Sequence, residues 1–376
     1  MIETRYVELD WLRVVLIFAV FLHHCFMPFN GDGWHIMNAE SSKLLDDIMV
    51  YFEQVRLQTL FFIAGVGSAL LLRKQSWKGF LSAKLKRLFI PFVVAMMIIV
   101  PPQHYFEHIA QYTSLIDAYS QRLLAFSPNH LWFIEFLLVF MLLAPVINTL
   151  FSSKLCSQLQ SSLTRLSSYK HGLFLLVVLL VIVRCVTKWI NASYDNSLGN
   201  ISQVSYFLFF FLAGMWLIRN KAAWLALAMH RRTNLYWLLV ATVIFYGFYI
   251  PDYSPYLSLP IRRQIWVAVG CLVSWSALLV MLGYGQAYLS HSPKWLRKTN
   301  ELIYPFYIVH QTVIVAFAFY IVKWQSSIFL KAMCLTIASM FVCMALCLAI
   351  GKGNWVIRVM FGLKTQKTVD AKPSFT

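Results

Sequence analysis

The stretch 11-WLRVVLIFAVFLHHC-25 decides how the whole chain is read. All but three of its residues are apolar, and the run continues to Phe29, close to the ~20 residues that cross a bilayer. Yet Arg13 stands near one end and His23-His24 near the other. Ionisable side chains are expensive in hydrocarbon and are kept there mainly when they have a task. Arg13 and His24 are eleven residues apart, ~1100° of helix, so they share one face about 16 Å apart along the axis. His23 projects ~100° away. Two readings fit this pattern. In one, Arg13 snorkels to the headgroups and His24 makes a buried hydrogen bond to a neighbouring helix. In the other, the face serves a long anionic ligand held at Arg13, whose reactive end reaches past mid-membrane to a titratable nitrogen.

The rest of the chain extends the first reading of class. Hydrophobic residues make up 60% of it and charged residues only 12%, about half the ~25% of soluble domains. Apolar segments fall near 11–29, 57–73, 88–105, 130–150, 172–190, 204–219, 235–251, 263–285, 302–323 and 327–350. The expectation is an all-α, polytopic transmembrane bundle of about ten spans over residues 1–350. The segment 43–56 has apolar residues at helical spacing with acids between them and reads as an interfacial amphipathic helix. Residues 351–376 read as a basic, disordered cytoplasmic tail.

A net charge of +17 suggests nucleic acid in a soluble protein, but membrane topology accounts for it here, and no nucleic-acid partner is expected. With the N-terminus inside, 22 Lys and Arg fall in the inner segments against nine on the other side. That bias puts both termini in the cytoplasm. Glu3, Glu8 and Asp10 precede the first apolar run with Arg5 as the single cation, unlike a cleavable signal, which begins basic. The seven cysteines lie mostly within apolar runs without metal-type spacing, so neither a disulfide framework nor a metal site is expected.

Leu9-Asp10-Trp11-Leu12-Arg13, followed by ten residues and His24, resembles the opening signature of the acyltransferase 3 family of integral-membrane acyltransferases. Phe61-Phe62-Ile63-Ala64-Gly65 is similar to that family's Phe-Phe-apolar-Ser-Gly stretch, with Ala64 in place of the usual serine. The segment 80-FLSAKLKRLFIP-91 resembles its basic element, with Lys84 and Lys86 where arginine is frequent. His130-Leu131-Trp132-Phe133 and Tyr304-Pro305-Phe306-Tyr307-Ile308-Val309-His310 also fit. The loop from Gly33-Trp34-His35 to Ala39-Glu40-Ser41 looks most like the branch that decorates periplasmic glucans, the glucan biosynthesis protein C type.

The resemblance implies a multi-pass protein of the bacterial inner membrane. It would transfer an acyl group, acetyl or succinyl, from cytoplasmic acyl-CoA to a hydroxyl of a periplasmic or surface carbohydrate. Acyl-CoA is then a donor substrate, and no permanently bound cofactor is implied. His24 is the candidate general base, since imidazole titrates near neutral pH. Arg13, Arg87, Lys84 and Arg73 are candidates for holding the donor, although a basic 73–87 loop also follows from topology alone. Trp34, His35, Glu135 and His310 are candidates for the acceptor side or reaction chamber. Each has a structural alternative: an interfacial aromatic for Trp34, an ion pair with Arg184 for Glu135, a satisfied core histidine for His310. Two other functions fit the composition: a glycan or lipid-linked sugar carrier without chemistry, and a membrane scaffold.

Overall fold

The computed structural model describes residues 5–364. All ten apolar segments lie on helices, and no strand occurs among the described residues. Seven helical segments are long and apolar enough to cross a membrane: Val7–Asn30, Lys43–Leu72, Asn129–Leu150, Gly172–Ile190, Leu259–Tyr288, Lys294–Ile321 and Ile328–Lys352. The chain is therefore a multi-pass membrane protein.

Three expected spans differ, each for a local reason. The 88–105 segment is divided into a π-helical turn at Leu85–Phe89 and helices Ile90–Ile98 and Val100–Glu107. Pro91, Pro101 and Pro102 supply no backbone N–H there, so the helical ladder is interrupted. The Ile201–Leu217 helix bends by 105° into Lys221–Met229, where the Asn220 side chain caps the new helix through the Ala223 N–H. That pair counts as one further span if it crosses as a unit. Arg231–Tyr249 is a full helix, but its Asn, Thr and Tyr residues lower its hydropathy.

Helix α1 (Val7–Asn30) ends at Gly31, whose φ of +94° is the left-handed conformation that glycine tolerates best. Helix α2 (Lys43–Glu53) is capped by Ser42 and exposes Leu44, Ile48 and Phe52 on one side, as an interfacial helix would. After a turn at Gln54 and Val55 the chain enters α3 (Arg56–Leu72). The core forms where α1 and α3 meet the Ile201–Leu217, Leu259–Tyr288 and Lys294–Ile321 helices. Its closest approach is between α3 and Ile201–Leu217. A Cβ on Gly65 would lie 2.0 Å from the Phe211 carbonyl oxygen, and one on Gly214 would lie 2.1 Å from that of Phe62. The glycine of the Phe61–Gly65 stretch is thus required by helix packing.

The expected disordered tail is partly folded. Trp355–Met360 is helical, and the buried Arg358 donates to the carbonyls of Gly351 (2.5 Å) and Lys364 (2.8 Å) and to Glu301 (3.2 Å). Such a buried guanidinium needs these acceptors, and a sequence read for composition alone does not reveal them. The remainder of the expected tail, 365–376, lies outside the described residues.

Candidate active site

Helix α1 carries a cavity at each end. The one near its C-terminal end encloses about 550 Å³ and is lined by His23, His24, Trp34, Glu53, Arg56, Gln58, His130, Tyr206, Tyr307 and Gln311 among others. His24 is half-buried and faces it. Its Nδ1 lies 3.0 Å from Nε2 of His310, whose Nδ1 lies 2.6 Å from the carbonyl oxygen of Tyr307. A carbonyl can only accept, so His310 carries its proton on Nδ1 and presents a lone pair at Nε2. His24 Nδ1–H then donates to that lone pair, and Nε2 of His24 keeps its own lone pair. The dyad fixes the tautomer and the ring plane of a proton acceptor, as an orienting partner does in hydrolytic triads.

A packed polar shell holds the dyad in place. The Trp34 ring lies 6.3 Å from that of His24 at an interplanar angle of 25°. Tyr307 donates from its hydroxyl to the His130 carbonyl at 2.6 Å. His130 in turn donates from Nε2 to the Ile308 carbonyl (3.1 Å) and accepts at Nδ1 from Gln103 (3.1 Å). Both its nitrogens are engaged, so His130 supports the site without a free valence.

The second cavity, about 1140 Å³, lies at the opposite end of α1. Seven cations line it, Arg5, Arg13, Arg73, Lys74, Arg87, Arg297 and Lys364, with two carboxylates, Asp10 and Glu301. Arg13 Nη1 reaches Asp10 Oδ1 at 3.3 Å and Asn300 Oδ1 at 3.4 Å, while Asn300 donates to the Asp10 carbonyl at 3.1 Å. The guanidinium is therefore positioned by its own helix and by Lys294–Ile321. Such a cavity suits a polyanion.

The two cavities share no lining residue. Between them, α1 presents the buried Leu16 and Ile17, and α3 the buried Leu60 and Phe61. The Arg13–His24 face read from periodicity is real, with Ile17 on the same stripe between them.

Arg73 and Arg87 join Arg13, and Trp34 and His310 join His24. Lys84, expected with the donor cations, does not line the basic cavity; it sits over the Phe80 ring at 5.6 Å. Burial, with Arg87 and Arg13 nearby, pushes its ammonium pKa down to about 8. His35 lies behind the chamber rather than in it, bonded through Nδ1 to Glu107 (2.9 Å) and through Nε2 to Gln311 (2.9 Å). Burial raises the Glu107 pKa, but the bond from His35 together with the nearby His35, His108 and His104 outweighs it, and the net shift is downward. Glu135 bonds neither His24 nor Arg184 and stands outside the cavity. Arg184 is satisfied by the Ser202 carbonyl and hydroxyl and by Gln203. His23, which helical phase turns away from His24, nevertheless lines the same cavity, its Nε2 3.5 Å from Glu53 Oε1. The chamber is wide enough to meet both faces.

The sequence reading missed Glu53, Arg56, Gln58 and Gln311 as chamber residues. Tyr307 and His310, three residues apart and hence on one helix face, carried a usable signal. Arg56 carried none, because it read as one more outer charge.

A family model described as an acyltransferase domain matches residues 6–351. Glucans biosynthesis protein C of Escherichia coli strain K12 is 29% identical over 139 residues, covering 35% of this chain and 36% of that protein. The protein of the same name from strain SMS-3-5 matches to the same extent. The matched region thus spans about a third of the length of these relatives. No solved structure matches the chain.

Proposed function

Because the chain belongs to this acyltransferase family and is a membrane acyltransferase, we propose that it carries an acyl group from cytoplasmic acyl-CoA to a hydroxyl of an extracytoplasmic carbohydrate. The charge bias of 22 to nine supports an inner-membrane orientation with the basic cavity facing the cytoplasm. There Arg13, Arg73 and Arg87 hold the phosphates of the donor. The pantetheine arm extends along the Arg13–His24 stripe, about 16 Å, once the apolar layer of Leu16, Ile17, Leu60 and Phe61 parts, and brings the thioester to His24. His24 Nε2 takes the acceptor proton as the hydroxyl oxygen attacks the carbonyl carbon. The C–S bond then breaks, and the departing sulfur receives that proton from the imidazolium. His310 holds the ring and accepts from Nδ1–H throughout. Trp34 offers an aromatic face for a sugar ring, which supports a carbohydrate acceptor, as does the partial likeness to proteins named for glucan biosynthesis.

The observation that carries this reading is the His24–His310–Tyr307 chain at one end of α1 with a cluster of cations around its other end. In sealed vesicles of known orientation, acyl-CoA on the cytoplasmic side should acylate an oligosaccharide held only on the other side. Product formed only when both substrates share a side overturns the through-membrane route.

A further inference from the structure

Arg56 is 8% exposed, lines the His24 cavity, and makes no hydrogen bond or ion pair among the described residues. Its Nη1 is wholly buried and without a partner. The nearest acid in sequence, Glu53, is its opposing charge, but the carboxylate makes neither a hydrogen bond nor an ion pair with it and lies 3.5 Å from His23 Nε2. A guanidinium is always charged, and burying it with a donor left unbonded is strongly unfavourable. Burying one against a reaction chamber is therefore informative. Arg184 on the same wall bonds Ser202 and Gln203, whereas Arg56 Nη1 is left without a partner there among the described residues. A transient oxyanion would relieve Arg56 only during the chemical step and would leave it bare in the loaded resting state.

We propose that Arg56 is a carboxylate-binding residue of the chamber, paired when substrates are bound with an anionic group that one reactant carries beside its reacting atoms. This rests on the acyl-transfer reading and deepens it by naming the substrate class. Two sources supply the same chemistry: the free carboxylate of a dicarboxylic acyl group, or an acidic substituent of the acceptor. A planar guanidinium meets either in bidentate fashion.

The test uses the full chain in nanodiscs and measures binding first, then transfer. The probes are succinyl-CoA against acetyl-CoA, and a neutral glucan oligosaccharide against the same oligosaccharide oxidised to carry a carboxylate. Wild type should bind one anionic probe tighter than its neutral counterpart by about ten- to a hundredfold. Arg56→Gln should erase that preference while leaving affinity for the neutral probes unchanged, and Arg56→Lys should restore part of it. Loss of the succinyl preference assigns the donor; loss of the acidic-oligosaccharide preference assigns the acceptor. No anionic preference in wild type, or an equal loss for all probes in Arg56→Gln, overturns the proposal. An Arg56-dependent preference in binding without any transfer would keep the anion site and sink the acyl-transfer reading instead. If Arg56→Gln does not fold, Arg56→Lys alone decides: an unchanged preference ratio counts against the proposal, a reduced one for it.

Discussion

The two ends of α1 are built differently. Around His24 the side chains are interlocked: His310, Tyr307, His130 and Gln103 form a chain of bonds of 2.6–3.1 Å inside an aromatic wall. Around Arg13 the cavity is about twice as large, and its cations come from several segments. A proton acceptor needs fixed geometry, and a packed, fully bonded shell supplies it. A polyanion needs summed positive potential, which survives small movements of each charge. Substitutions should therefore be punished severely at one end and gradually at the other.

The largest effect is expected at His24. His24→Ala should lower kcat by ~10²–10⁴-fold or more while the protein still inserts and folds. A kcat within a few-fold of wild type would remove the general-base role. His23→Ala should also impair transfer, since His23 lines the same chamber against Glu53.

Ile17→Trp probes the closed neck between the two ends. Overpacking there should cost about 1–3 kcal/mol of stability, read from thermal unfolding in detergent. Transfer should nearly vanish while donor affinity at the basic cavity is retained. If transfer survives, the acyl group does not pass along this stripe.

His310→Ala is expected to lower kcat by roughly 10²-fold by freeing the His24 ring, with donor affinity unchanged. As a positioning residue it should also alter the pH–rate profile of His24, a change that simple loss of packing would not produce. His310→Gln, which keeps a side-chain acceptor, should recover part of the rate.

At the other end, Arg13→Ala and Arg87→Ala should each weaken acyl-CoA binding by about tenfold or more and leave kcat largely intact. Equal losses of kcat at both ends would erase the contrast between them.

The smallest effect concerns Lys84, whose pKa is held at about 8 by burial and by Arg87 and Arg13. A bound polyanion favours its charged form, so binding takes up a proton once the pH exceeds about 8. Donor affinity should then fall as pH climbs through that value, and Lys84→Met should flatten the slope. Titration calorimetry in two buffers of different ionisation heat checks the proton uptake.

Several features were legible without a structure because they are local. Apolar run lengths gave an all-helical membrane bundle, and the 3.6-residue period placed Arg13 and His24 on one stripe. The broken 88–105 segment was marked by its prolines, yet hydropathy outweighed them in the reading. Glu135 stands outside the chamber and Lys84 outside the lining of the basic cavity for one reason: an ionisable residue in an apolar or basic run shows its cost but not the direction of its partner.

By itself, then, the sequence determined the solvent of the fold, its helices, the uneven spread of charge among its polar segments and the Arg13–His24 stripe. All of these follow from short-range periodicity and composition. Only the tertiary structure decided that His24 leans on His310, 286 residues away, that an apolar layer separates the two cavities, and that Arg56 Nη1 is buried at the chamber without a hydrogen-bond partner. Hydrogen-bond partners and cavities arise where distant helices meet, and helix crossings are set by packing such as the Gly65–Gly214 approach, which no local pattern encodes.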